Sequence, residues 1–282
     1  MSDKEYFFFA FGDAGLNTET KYQVANMVKK VENSRIILLG DNFYRYGIIS
    51  ENDERWKKEY EDVFPNKKIY ACLGNHCYMG NIVAQIKYSQ INPNWFLPAR
   101  YYDRKIYLDK TNYIHLICLD TFEIAHRESI KCSVDTGMKL DTISWYIKNF
   151  NKKQQLNWLN ETLKQSTGKW KIVFGHYPIF SNGSCHGNCK EMIKDVLPIL
   201  VRNNANVYLS GHDHNICYSQ FKNLHVIVSG NGCYSSQIKK DNFFYNLPST
   251  SGVCYLHFKP DQLELGFNDL TGNKIYSKTI TN

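Results

Sequence analysis

The chain contains 282 residues, and 43% of them are hydrophobic, so it can bury a sizeable core in one large domain or two small ones. Its net charge of +7 suits anionic ligands, but no dense run of Lys and Arg with interleaved aromatics supports nucleic-acid binding. The longest apolar run, Tyr6–Phe11, is far too short to span a bilayer, which excludes a membrane-spanning helix.

The predicted strands are short apolar runs that are rich in β-branched and aromatic residues. In chain order they are Tyr6–Phe11, Arg35–Leu39, Ile69–Leu73, Tyr113–Leu119, Lys171–Phe174, Val207–Leu209 and His225–Val228. The final part, from Gly252 to Thr279, is predicted to form antiparallel strands joined by turns.

Three predicted helices lie between these strands. Apolar residues between positions 24 and 31 recur at helical spacing, and the stretches 152–165 and 190–203 carry apolar faces of the same kind. Pro198 is expected to kink the third helix. The segment 123–150 is the least regular part of the sequence, and we expect a long surface excursion there, of the kind that borders a site.

Alternating strands and helices followed by a run of strands predict sheets packed together and flanked by helices. No linker or internal repeat divides the chain, so we predict a single domain over residues 1–282. Met1–Glu5 is polar and resembles no signal peptide, so a cytoplasmic location is slightly favoured over a secreted or lysosomal one. The nine cysteines include no CxxC pair, which argues against a structural zinc site.

Five short motifs each follow a predicted strand and place a polar residue directly after a glycine. They are Gly-Asp-Ala-Gly (12–15), Gly-Asp-Asn-Phe-Tyr (40–44), Gly-Asn-His (74–76), Gly-His-Tyr-Pro (175–178) and Gly-His-Asp-His (211–214). Glycine lets the backbone reverse sharply at a strand end. Side chains at the carboxyl ends of strands converge on a crevice outside the sheet, so these polar residues are expected to meet.

Each motif alone has an ordinary structural explanation, because Gly-Asp is a common turn and a lone His after a strand is more often a hydrogen-bonded core residue. Their occurrence together at five strand ends favours a shared metal site. Carboxylate, amide and imidazole ligands suit Fe, Zn or Mn. Two such ions can hold both the attacking and the leaving oxygen of a displacement at phosphorus. The sequence therefore predicts metal-dependent hydrolysis of phosphate esters.

In this order the five motifs resemble the metallophosphoesterase superfamily, and Gly-Asp-Asn-Phe-Tyr resembles the version found in purple acid phosphatases. The stretches Gly74–Tyr88, Gly175–Ser181 and Ser210–Asn215 are similar to the small tartrate-resistant branch beyond the motifs themselves. The resemblance covers roughly residues 5–282. It implies a four-layer α/β/β/α fold, with two mixed β-sheets flanked by helices, and a binuclear acid phosphatase that hydrolyses phosphate monoesters.

The resemblance also implies seven metal ligands and two catalytic histidines. A ferric ion would be bound by Asp13, Tyr44 and His214, a second divalent ion (Fe, Zn or Mn) by Asn75, His176 and His212, and both by the bridging Asp41. A metal-bound hydroxide would attack phosphorus, while His76 would contact the phosphate and protonate the leaving oxygen. His186 resembles a histidine just outside the metals with a shift of one residue; a surface loop position is the alternative.

One departure from the family pattern follows His76. An acidic residue usually stands next and would orient the imidazole; here Cys77 follows instead, and Tyr78 would replace a histidine close to the phosphate. Three interpretations remain open: an active enzyme with altered pH dependence or specificity, a weakened enzyme, and a non-catalytic metal-bearing scaffold. Cys132 and Cys189 lie near positions that the small branch joins by a disulfide, and the sequence leaves their pairing open.

A phosphodiesterase or nucleotide hydrolase on the same site is a further alternative. The expected partner is a small phosphorylated substrate, namely a phosphomonoester, a nucleotide or a phosphopeptide. A monomer is expected, with neither nucleic acid nor a membrane as partner.

Overall fold

Two mixed β-sheets form the centre of the molecule. The computed structural model describes residues 4–135, 137–138, 146, 148–245, 247 and 251–281. The strands in chain order are β1 Tyr6–Phe11, β2 Arg35–Leu38, β3 Ile69–Ala71, β4 Trp95–Phe96, β5 Tyr102–Tyr107, β6 Tyr113–Cys118, β7 Trp170–Phe174, β8 Val207–Ser210, β9 Ile216–Phe221, β10 Leu224–Ser229, β11 Val253–Phe258, β12 Gln262–Asn268 and β13 Lys274–Thr281.

The strand order places parallel strands side by side in both sheets. The first sheet runs β13-β12-β11-β1-β2-β3-β4 and the second runs β5-β6-β7-β8-β10-β9. Within the first sheet β1 to β4 are parallel neighbours, and within the second β6, β7, β8 and β10 are. The remaining pairs are antiparallel, so both sheets are mixed, as predicted.

Six α-helices lie in the part of the chain that the structure describes. They are α1 Glu19–Lys30, α2 Ile82–Ile91, α3 Thr121–Ile124, α4 His126–Asp135, α5 Lys152–Gln165 and α6 Leu197–Arg202. Side chains cap several of them: Thr18 accepts a hydrogen bond from the backbone N–H of Lys21 at the start of α1, and Asn81 accepts one from Ala84 at the start of α2. Among the described residues, none of these helices has the length and apolar composition needed to cross a membrane.

The alternation of side chains along β6 shows how the layers form. Ile114 and Leu116 face the core that lies between the two sheets, whereas Ile117 faces the opposite side. There it packs in a second core with Leu159 and Leu163 of α5. Successive side chains of a strand point to opposite faces, so a strand that is apolar on both faces must be covered on both sides. The four-layer arrangement of two sheets flanked by helices is thereby confirmed.

Most of the predicted elements are present, and the differences have local causes. The predicted helix over 190–203 is divided into a π-helix, Met192–Val196, and α6, with Pro198 in the first turn of α6, where its missing N–H costs little. The prediction of an irregular excursion over 123–150 is wrong for residues 123–135, which lie in α3 and α4. Residues 136, 139–145 and 147 lie outside the described part. The nine cysteines, all within the described residues, form no disulfide, so Cys132 and Cys189 are not joined.

Candidate metal centre

The five motifs lie at the carboxyl ends of β1, β2, β3, β7 and β8. The first three strands are parallel neighbours in one sheet, and the other two are parallel neighbours in the second sheet. Parallel strands end at the same edge, and the two sheets are stacked, so the loops of both sheets meet there. The sheet topology therefore brings together residues that are up to 201 positions apart, from Asp13 to His214.

Three of the predicted ligands sit on strained backbone. Asp13, Asp41 and His212 have φ values of 58°, 50° and 70°. Residues other than glycine rarely adopt this left-handed backbone conformation. Such a conformation costs about 1–3 kcal/mol per residue and clusters at functional sites, where the surrounding structure enforces it. The strain at these strand ends supports a functional role for the loops.

The glycines of the motifs leave room for the predicted ligands that follow neighbouring strands. A Cβ atom at Gly74 would lie 2.2 Å from the Oδ1 atom of Asp41, and one at Gly40 would lie 2.6 Å from the Nδ1 atom of His176. Gly40 also has a φ of +90°, which L side chains disfavour. Glycine is required here because one strand end must pass directly against the functional side chain of another.

Asp13, Tyr44 and His214 form one group of contacts. The Tyr44 hydroxyl donates a hydrogen bond of 3.0 Å to Oδ1 of Asp13 and lies 3.2 Å from Nε2 of His214. The same histidine nitrogen is 3.5 Å from Oδ1 of Asp13. The other carboxylate oxygen of Asp13 accepts a hydrogen bond of 2.8 Å from the backbone N–H of His212, which fixes the side chain.

Asp41, Asn75 and His176 form a second group beside the first. Nε2 of His176 lies 3.0 Å from Oδ1 of Asn75 and 3.5 Å from Oδ2 of Asp41. Nδ1 of His176 lies 2.8 Å from the Leu39 carbonyl oxygen, which can only accept, so Nδ1 carries a proton and Nε2 is the nitrogen that faces the site. Donor atoms of Asp13, Asp41 and His176 all lie within 4.8 Å of one another, so Asp41 stands where both groups meet.

The charges of this site follow from its burial. Burial raises the pKa of the Asp41 carboxyl, but the facing His176 and His76 rings outweigh it and hold that pKa well below its usual range. Burial lowers the pKa of His176, but the charge of Asp41 outweighs this effect. The pKa of His176 therefore rises to about 9. The pKa of Tyr44 is raised by burial and by Asp13, so a strongly charged ion would be needed to hold it as a tyrosinate.

His212 and His186 meet on the far side of His176. The His212 ring is 5.0 Å from the His176 ring and 3.8 Å from the His186 ring, measured between centroids. Its Nε2 atom faces two residues that were not predicted to lie at the site, Glu128 at 3.8 Å and Cys132 at 3.5 Å. Both lie on α4, four residues apart and so on one helix face. That spacing was the available signal, but it fell within the segment that was expected to be irregular.

Cys77 and Tyr78, the two residues that depart from the family pattern, belong to the core of the protein. Cys77 is fully buried, and its Sγ atom is 3.5 Å from the donating backbone N–H of Asn42. Tyr78 is also buried; its ring stacks on Phe122 and its hydroxyl donates to Asp120. The expectation that Tyr78 stands close to the phosphate is therefore wrong, because the turn Cys77–Met79 directs both side chains into the core.

His76 is oriented by a backbone carbonyl rather than by an acidic neighbour. Its Nδ1 atom lies 2.7 Å from the carbonyl oxygen of Arg45, which makes Nδ1 the donor and leaves Nε2 facing the site, 3.9 Å from Oδ2 of Asp41. The backbone N–H of His76 donates to the other oxygen of Asp41, at 2.9 Å. The orienting contact missing from the sequence is thus supplied by the loop that carries Tyr44.

The donor set fits hard to borderline metal ions. Two ionised carboxylates, a phenol, an amide oxygen and imidazoles converge on one buried region, and the donors divide into two adjoining groups that share Asp41. The partly exposed side chains of His76 and His214 mark the side from which a substrate would approach. An arrangement of this kind can hold two cations next to an open surface.

Arg100 stabilises the buried acidic residues behind Tyr78, and Arg100→Ala should destabilise the protein by about 3 kcal/mol. The Arg100 guanidinium lies 2.7 Å from Asp120 and 3.4 Å from Glu123, and both carboxylates are buried. Without Arg100 these charges would lack their cation. Urea denaturation should show the loss, whereas Arg104→Ala, a change of an exposed arginine on β5, should have little effect.

The destabilisation by Arg100→Ala should depend on pH. Burial raises the pKa of Asp120 from 3.8 to about 6, even though Arg100 lowers it. Between these values the folded state binds more protons than the unfolded state, so the contribution of Asp120 to stability falls as the pH rises. Removing Arg100 should therefore cost most above pH 6 and clearly less near pH 4.5, where a proton can neutralise Asp120. An equal cost at both pH values would contradict this account.

Comparison with known proteins places the chain among phosphoesterases. Residues 8–215 match the family model described as calcineurin-like phosphoesterase. The chain is 29% identical to mouse tartrate-resistant acid phosphatase type 5 over 275 residues, which cover 92% of this chain and 82% of that protein. It is 26% identical to purple acid phosphatase 17 of Arabidopsis thaliana, over 99% of this chain and 85% of the relative.

A solved structure has the same fold along nearly the whole chain. It is described as "GAP50 the anchor in the inner membrane complex of Plasmodium", and it superposes with a TM-score of 0.80 at 22% sequence identity. The alignment covers 98% of this chain and 89% of the other. At this identity the likeness establishes the fold alone.

Proposed function

Because the chain belongs to the calcineurin-like phosphoesterase family, we propose that it is a metal-dependent acid phosphatase acting on small phosphate monoesters. The observation that carries the proposal is the convergence of Asp13, Asp41 and His176 within 4.8 Å of one another, with the partly exposed His76 beside them. The similarity to tartrate-resistant and purple acid phosphatases supports the same reaction.

The proposed centre holds two metal ions. A ferric ion is assigned to Asp13, Tyr44 and His214, and a divalent Fe, Zn or Mn to Asn75, His176 and His212, with Asp41 shared. When bound, such a pair supplies an activated water and stabilises both oxygens of the displacement. The strained loops and the backbone hydrogen bonds to Asp13 and Asp41 hold the ligands in place before any ion binds.

In this proposal His76 donates the proton to the leaving oxygen. Arg45 fixes the ring through Nδ1, so Nε2 is presented to the open side of the centre. That nitrogen lies 3.9 Å from Oδ2 of Asp41. General acid catalysis of this kind contributes about 10²–10⁴-fold to a rate.

The iron assignment predicts a coloured protein. Purified protein should show a visible tyrosinate-to-iron absorption band, and Tyr44→Phe should abolish that band, because the Tyr44 hydroxyl is in contact with both Asp13 and His214. Tyr234→Phe is a matched control, since that ring lies 6.2 Å from the His214 ring and should leave the band unchanged. A colourless protein without iron would disprove the ferric assignment while leaving a two-metal hydrolase possible.

The substrate class is tested by turnover of p-nitrophenyl phosphate and of bis(p-nitrophenyl) phosphate across pH, with metal analysis of the same protein. A phosphomonoesterase should strongly prefer the monoester. Preferential turnover of the diester would instead identify a phosphodiesterase on the same centre. Assays with a nucleoside monophosphate and a phosphopeptide would then narrow the class of monoester.

A non-catalytic scaffold is the alternative from a different class. It draws on the solved structure described as an anchor, which has the same fold. The sequence feature that favoured it, Cys77–Tyr78, is a pair of core residues, while His76 keeps an orienting partner in Arg45. These contacts support the enzyme over the scaffold. Metal-loaded protein that turns over neither ester at any pH would reverse this preference.

A further inference from the structure

Four side chains from three separate segments meet on the far side of His212. Glu128 and Cys132 come from α4, His186 comes from the loop after β7, and His212 follows β8. One donor atom of each lies within 4.8 Å of the donor atoms of the other three. We propose that these four residues bind a zinc ion at a structural site that adjoins the centre assigned to catalysis and shares His212 with it. The inference does not rest on the proposed phosphatase activity.

The spacing of the donor atoms fits tetrahedral zinc. Sγ of Cys132 lies 3.4 Å from Oε1 of Glu128 and 3.5 Å from Nε2 of His212. Oε1 of Glu128 lies 3.8 Å from Nε2 of His212 and 3.8 Å from Nδ1 of His186. Zinc bonds of about 2.0–2.3 Å at tetrahedral angles place ligand atoms about 3.3–3.7 Å apart. The four distances lie at or slightly above that range.

Hydrogen bonding alone does not explain this cluster. An N–H···O hydrogen bond joins atoms about 2.7–3.2 Å apart, and both contacts between Glu128 and a histidine are longer than that. One donor atom of each side chain nevertheless lies within 4.8 Å of the donor atoms of the other three. One thiol, one carboxylate and two imidazoles are the ligand types that zinc prefers.

The positions of the ligands are set by the backbone. Glu128 and Cys132 are one helical turn apart on α4, so their side chains lie on the same face. His186 is held by Asp213, whose carboxylate accepts hydrogen bonds of 3.0 Å from the backbone N–H of His186 and of 2.8 Å from that of Gly187. A site that is preformed in this way needs little rearrangement to bind an ion.

His212 would connect the two metal sites. Its Nε2 atom faces Glu128 and Cys132, so Nδ1 is the ring nitrogen left for the second ion of the catalytic centre. Zinc binding replaces the proton on the Cys132 thiol, and ligation of a second ion through the other nitrogen of His212 replaces the proton of that ring, which becomes an imidazolate. Both protons pass to solvent as the metal bonds form. Four protein ligands leave no position for substrate, so the role of this ion is structural. It would fasten α4 and the His186 loop to the strand end that carries His212.

The test uses cobalt(II) as a spectroscopic probe in the full chain. Replacing bound zinc with cobalt should produce an intense near-ultraviolet thiolate-to-cobalt absorption, and Cys132→Ser should remove it. Cys185→Ser is the matched control, because Cys185 is exposed, adjoins His186 and is not one of the four residues. Absence of the band from the unsubstituted chain, or its persistence in Cys132→Ser, would overturn the proposal.

Two further measurements make the test independent of folding and of phosphatase activity. Glu128→Gln, which keeps the shape of the side chain, should weaken zinc binding at least about 10-fold in a competition titration; unchanged affinity would count against the site. Asp41→Asn, which should lose phosphatase activity, is expected to keep the cobalt–thiolate band. Loss of activity with the band retained would separate the catalytic centre from the zinc site, so the failure of either proposal can be recognised by itself.

Discussion

Asp41→Asn should lower kcat/KM for phosphate monoesters by about 10³-fold or more, which corresponds to about 4 kcal/mol of transition-state stabilisation. Asp41 is almost fully buried and lies where the two groups of proposed ligands meet, 3.5 Å from Nε2 of His176. Asparagine has the same shape but no charge, so the two cations assigned to the centre would lose their shared anion. The metal content per chain should fall together with the activity.

The control for this prediction is Asp269→Asn. The Asp269 carboxylate accepts a hydrogen bond from the backbone N–H of Thr271 in the turn between β12 and β13. This turn lies outside the strand ends that carry the proposed metal ligands. Its replacement should leave activity and metal content unchanged. Circular dichroism of both variants would verify that the fold is kept. An Asp41→Asn protein with full activity and full metal content would refute the shared-ligand assignment.

His76→Ala should reduce kcat for an alkyl phosphate by about 10²–10³-fold, because the leaving alkoxide would no longer receive a proton. The loss for p-nitrophenyl phosphate should be much smaller, since nitrophenolate leaves readily without protonation. Fixation of Nδ1 by the Arg45 carbonyl is what makes His76 suited to this role. The measurement is the ratio of kcat values for the two substrates in the variant and in the unchanged protein.

A matched control for His76→Ala is His257→Ala. His257 lies on β11 and contacts Glu5 at 2.9 Å, away from the motifs. Its loss should change neither substrate's rate. Equal losses on both substrates in His76→Ala would show that His76 binds the phosphate instead of protonating the leaving group. No loss on either substrate would contradict a catalytic role altogether.

The identity of the strands and of the residues after them could be predicted from the sequence because both signals are local. Short apolar runs such as Tyr6–Phe11 become strands since they must be buried on both faces, and each glycine after them indicates a sharp turn. The polar residue that follows is then directed to the sheet edge. Packed sheets flanked by helices and the convergence of Asp13, Asp41 and His176 could be expected on these grounds, whereas the four-layer order was implied by the family resemblance.

The contacts of Cys77 and Tyr78 could not be predicted in the same way. The direction of a side chain in a single 3₁₀ turn depends on what the turn packs against, and here Phe122 and Asp120 lie more than forty positions further along the chain. The carbonyl that orients His76 belongs to the backbone of Arg45. Every residue has such a carbonyl, so the residue type does not reveal the contact. From the sequence, the departure from the family pattern at Cys77 and Tyr78 suggested a change in the site. In the structure both residues belong to the core.

The sequence by itself determined which residues follow the strands and what chemistry they offer, since strand formation and turns depend on neighbouring residues. Only the tertiary structure decided which of these side chains meet and which residues support them. Glu128, Cys132 and the carbonyl of Arg45 reach the site through the packing of α4 and of the loop after β2, and such packing joins positions that are distant in the chain. The physical reason is that contacts across the layers are set by the whole core, so no local pattern records them.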